Sequence, residues 1–63
     1  MKMDTQDYLN KALLDSQERV RDFMSYSNHV KDEKLKNCFK KFALQEGYMA
    51  QEIQSFLNKS DQV

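Results

Sequence analysis

Leu35-Lys-Asn-Cys-Phe39-Lys-Lys-Phe42-Ala-Leu-Gln-Glu46-Gly-Tyr-Met49-Ala-Gln-Glu-Ile53-Gln-Ser-Phe56 decides the architecture of this 63-residue chain. Leu35, Phe39, Phe42, Glu46, Met49, Ile53 and Phe56 follow one another at spacings of 4, 3, 4, 3, 4 and 3. That alternation keeps one face of a helix turned toward a partner. Six of the seven positions are apolar, and the seventh, Glu46, is a carboxylic acid in the middle of the stripe. An acid so placed is costly unless it is paired, hydrogen-bonded or neutralised. It is the relic of a metal site, a polar device that sets specificity, or a sign that the register of the stripe is misread.

Upstream lies a second stripe with the same alternation: Leu9, Leu13, Ser16, Val20, Phe23, Ser27 and Val30, widened by Ala12 and Met24. Asp4 or Thr5 can cap its start, and Asp7 meets the positive end of the helix dipole. Between Val30 and Leu35 the step is five residues, which rotates the stripe by roughly 140° on a continuous helix. This phase break disfavours a single long coiled-coil helix. Ser27, Asn28 and His29 tolerate a turn, and Asp32 can cap the second helix. The expected fold is all-α: one domain over residues 1–63, with a helix from about residue 4 to 28, a turn over about 29–32, and a helix from about 33 to 58. Such an αα-hairpin leaves its stripes half covered, and pairing two hairpins into a four-helix bundle covers them. Leu9, Leu13, Val20, Phe23 and Val30 with Leu35, Phe39, Phe42, Met49, Ile53 and Phe56 are the expected core of that dimer. Ser16 and Ser27 suit close approaches between helices, or bonds back to a preceding carbonyl.

Composition narrows the function. So short a chain rarely buries enough surface to stand alone, and with one cysteine and one histidine neither an internal disulfide nor a zinc-finger pattern is available. Self-association is the remaining remedy. Ten basic and ten acidic side chains cancel, which argues against a general nucleic-acid or membrane-surface binder. No apolar run approaches a membrane span, the N-terminal residues lack the apolar segment of a signal peptide, and a lone Cys38 suits a reducing interior. A cytoplasmic location is expected.

The stretch from Leu35 through Phe39, Ala43, Glu46 and Met49 to Ile53, with the preceding Lys31-Asp-Glu-Lys, resembles the second helix and interhelix turn of rubrerythrin-like members of the ferritin-like superfamily. The resemblance covers about half the chain well and the first helix loosely. In that family a Glu-x-x-His pair points into the bundle; Glu46 falls on the glutamate, and Met49 stands where the histidine belongs. The iron site also takes a Glu from each of two further helices, whereas this chain offers Ser16 or Gln17 there, with Glu18 beside the stripe. A thioether is a soft ligand, poorly matched to iron or manganese. The resemblance therefore implies a ferritin-like half-bundle without a working di-iron site. It extends to helical proteins of bacterial spore coats, which implies a sporulation- or coat-associated role.

Glu46 from two chains, with Glu18, is the candidate metal site; the competing reading is a core-edge carboxylate paired with Lys, Arg or Tyr. As a polar specificity device, Glu46 would make Glu46→Leu raise stability while loosening the assembly. Lys34, Lys36, Lys40 and Lys41 form a candidate anion patch, read more simply as a solvated face. His29 is expected in the solvated turn and Cys38 as a partly buried thiol. No catalytic constellation is present and no cofactor is implied, so the expectation is a non-catalytic structural or interaction protein acting as a homodimer. The alternatives are a metal-binding dimer and a nucleic-acid-associated helical dimer that uses the lysines.

Overall fold

The computed structural model describes residues 2–61, with side chains for residues 2–59. Two helices, α1 (Thr5–His29) and α2 (Glu33–Asp61), pack against each other as an antiparallel hairpin. Asp4 caps α1 through a reciprocal box: its carboxylate accepts from the Asp7 N–H at 2.9 Å, and the Asp7 carboxylate accepts from the Asp4 N–H at 3.2 Å. The chain leaves α1 at Val30, whose extended backbone stops the helix while its N–H still donates to the Tyr26 carbonyl at 3.1 Å. No residue adopts positive φ among those described, which is how a turn without glycine is possible here. Asp32 then opens α2 by accepting from the Leu35 N–H at 3.2 Å. Against expectation, α2 runs on to Asp61, and His29 belongs to the last turn of α1, its ring within 2.7 Å of the Ser25 carbonyl.

The hairpin measures 47 × 25 × 11 Å, one layer of helices. Its radius of gyration, 14.6 Å, exceeds the roughly 11 Å expected of a compact domain of this length. Only Ser16, Ser27, Ala43 and Leu57 are buried among the described residues. Three of these are small, so the helices meet where side chains are shortest. Ser27, with no exposed surface, donates its hydroxyl to the Met24 carbonyl at 2.7 Å, satisfying its own polarity within α1.

The expected dimer core divides in this structure. Leu9, Leu13, Val20, Phe23, Val30, Phe39 and Ile53 are half-buried along the seam between α1 and α2. Leu35, Phe42, Met49 and Phe56 are exposed. The single stripe of α2 is two rows: Phe39, Glu46 and Ile53 are half-buried toward α1 beside the buried Ala43 and Leu57, and the other four lie at the rim with more than a third of their surface exposed. Near the turn, Phe23, Tyr26, Phe39 and Phe42 form an aromatic cluster with ring centroids 5.6–6.3 Å apart. Mostly edge-to-face geometry of this kind adds to simple area burial.

Candidate functional site

Two features of the hairpin stand out, a polar clamp in the seam and an apolar row beside it. At the clamp, Glu46 reaches from α2 to α1. Its Oε2 accepts from the Ser16 hydroxyl at 3.1 Å and its Oε1 from the Arg19 Nε–H at 2.9 Å. Ser16 is buried, the Glu46 side chain is 15% exposed, and Arg19 covers it from the rim at 47%. The carboxylate is thus satisfied by one neutral and one cationic donor, the paired reading of an acid in an apolar stripe. One turn of α1 separates its two donors, so the clamp fits a single register of α1 against α2.

This geometry bears on the metal reading. A guanidinium stands against one oxygen of Glu46 and a hydroxyl against the other, Met49 is exposed, and Glu18 is exposed on α1. No group of three or more His, Cys, Asp or Glu able to hold a metal ion occurs among the described residues. The donor set around Glu46 in this hairpin does not fit the iron site that the ferritin-like resemblance implies.

The four lysines do not make one patch. At ~100° per residue, Lys34 and Lys41 share one side of α2 and Lys36 and Lys40 the other flank. Lys36 is half-buried, and Lys40 borders an open apolar hollow with Val20, Met24, Ala43, Leu44 and Gly47. Cys38, expected to be partly buried, is exposed, because it lies on the side of Leu35 and Phe42 rather than in the seam.

The apolar row is the larger feature. Leu35, Phe42, Met49 and Phe56 recur every seventh residue with exposures of 41, 38, 48 and 53%. They span about 31 Å of helix, roughly three quarters of the length of α2. Near its far end Met49, Ile53, Phe56 and Glu52 line a shallow hollow. On the same broad face α1 presents Tyr8, Ala12, Asp15, Arg19, Asp22 and Tyr26, a row of helical neighbours whose middle is charged. The Arg19–Glu46 and Tyr26–Phe39 contacts place that row beside the apolar one. The sequence pattern puts the members of the α2 row in an oligomer core without separating them from the seam residues.

The fold and this surface define the class: a single-layer, two-helix antiparallel hairpin with an exposed apolar row along α2. Compared with protein-family models, curated proteins and solved structures, the chain matches none. No helix among the described residues is long and apolar enough to cross a membrane.

Proposed function

We propose that this chain is a small non-catalytic interaction protein that works as a cytoplasmic homodimer, two hairpins forming a four-helix bundle. The exposed row Leu35–Phe42–Met49–Phe56 carries the reading. Large apolar side chains repeated over about 31 Å of a one-layer molecule favour a second layer, because domains are ordinarily built from at least two packed layers around a core. A half-bundle of ferritin-like type whose metal ligands are replaced is the ancestry in keeping with this, and a sporulation- or coat-associated role follows from that ancestry alone. The metal-binding alternative loses support from the position of Glu46, turned toward Ser16 and Arg19 of its own α1. The nucleic-acid alternative loses support from the division of the lysines between two flanks. Native mass spectrometry of the purified protein, before and after incubation with Fe(II), Mn(II) and Zn(II), tests the reading. A dimer whose mass is unchanged by metal is expected; a monomer at all concentrations, or a stoichiometric cation lost in Glu46→Gln, overturns it.

A further inference from the structure

We infer that the second copy docks with its α2 row on this α2 row and in antiparallel sense, Leu35 against Phe56 and Phe42 against Met49 of the copy, with the two-fold axis crossing α2 between Gln45 and Glu46. The inference rests on the homodimer reading and specifies its interface. An isologous contact brings the same patch of both chains together, and a row with a constant repeat of seven overlays itself when reversed. On the same broad face of the copy, the other surface that could cover the row is α1. Its flank on that face carries Asp15, Arg19 and Asp22 at mid-length, charges that an apolar row would strip of water at a cost. On this face the apolar row matches itself better than it matches α1.

Charge decides the direction. From Glu33 to Gln45, α2 holds four lysines and one acid; from Glu46 to Asp61 it holds three acids and one lysine. Reversal sets the basic half of one helix along the acidic half of the other. Beside the row, Lys41 falls within a turn of Glu52 of the copy, twice over by symmetry. Lys34 and Lys59 approach only at the outer ends, where water screens them. A parallel pair in register would instead bring the two basic halves to one level and the two acidic halves to another. The polar clamp stays intact in the antiparallel arrangement, since Glu46 faces α1 and takes no part in the contact.

Thiol cross-linking separates the two arrangements, because Cys38 is exposed beside the row. Antiparallel docking about the Gln45–Glu46 position puts the two Cys38 thiols about 22 Å apart along the axis, from ~15 residues at ~1.5 Å each. A parallel pair makes them neighbours. Both the wild-type chain and the double variant Cys38→Ser/Gln45→Cys are treated with a bismaleimide reaching less than two helical turns, about 11 Å, after sedimentation equilibrium has established the mass. The expected result is a covalent dimer from the double variant and none from wild type. Cross-linking of wild type through Cys38 overturns the antiparallel assignment. A dimer by sedimentation that cross-links in neither form overturns the α2 interface while sparing the homodimer. A monomer at every concentration defeats both.

Discussion

Glu46 shows how a residue out of place in a pattern can be in place in a structure. Its two oxygens are held by Ser16 and Arg19, and Ser16 has almost no access to water. Replacing Glu46 by leucine fills the seam with carbon but leaves a buried hydroxyl without its acceptor. The expectation that Glu46→Leu raises stability is accordingly reversed: the loss should be about 1–2 kcal/mol, a fall in Tm of roughly 4–16 °C for a domain of this size. Adding Ser16→Ala should return much of that loss, because no hydroxyl then remains to satisfy. Thermal melts of the two single variants and the double variant complete the cycle, and strict additivity would show that the serine and the acid do not act together. Ser27 sets the complementary limit. Its hydroxyl is closed on the Met24 carbonyl with no exposed surface, so Ser27→Leu should cost about 1–3 kcal/mol by forcing the helices apart, measured by urea unfolding.

Each helix owes its limits to local chemistry that can be tested without disturbing the seam. The Asp4–Asp7 box satisfies N–H groups at the start of α1, and Asp4→Ala should cost about 1 kcal/mol and fray the first turn, visible as lost ellipticity. In α2, Gly47 lies in mid-helix with ordinary backbone angles and nothing within 4 Å of where a Cβ would stand. Gly47→Ala should therefore stabilise α2 by roughly 0.5–1 kcal/mol. A decrease in Tm on that substitution would mean that in the assembled protein another chain occupies the hollow beside Val20, Met24 and Leu44.

For the whole molecule, the governing fact is thinness. A hairpin 11 Å deep has a seam and no second layer, and in the proposed dimer its stability would rise with whatever covers the broad face. Phe42→Lys and Met49→Lys, placed nearest the inferred axis, should each weaken self-association by more than about 100-fold, or about 2.7 kcal/mol. Leu14→Lys is the control: Leu14 is 65% exposed and lies on the outer side of α1, so the same change of character there should leave the dissociation constant unaltered. Equal effects at Leu14 and at the row would mean that general hydrophobicity, rather than this face, drives association.

Two helices, the phase break between them and both N-caps are legible in the sequence, because these are local matters of periodicity and of side chains that reach their own backbone. The three-four spacing also marks the side of each helix that carries its large apolar residues. It leaves undivided the direction in which each of them points. Phe39 and Phe42 stand three residues apart in one stripe and both meet Phe23 of α1, yet Phe39 is half-buried and Phe42 stays exposed, since a hairpin partner covers an arc narrower than the stripe itself. Ala43 and Leu57 escape the pattern for the same reason: they lie at its margin but at the centre of the contact with α1. Likewise the stripe alone requires that Glu46 have a partner, while the packing of α1 on α2 supplies Ser16 and Arg19, 30 and 27 residues away. Periodicity reports the angle of a side chain about its own axis; which neighbour stands at that angle depends on how the two axes meet.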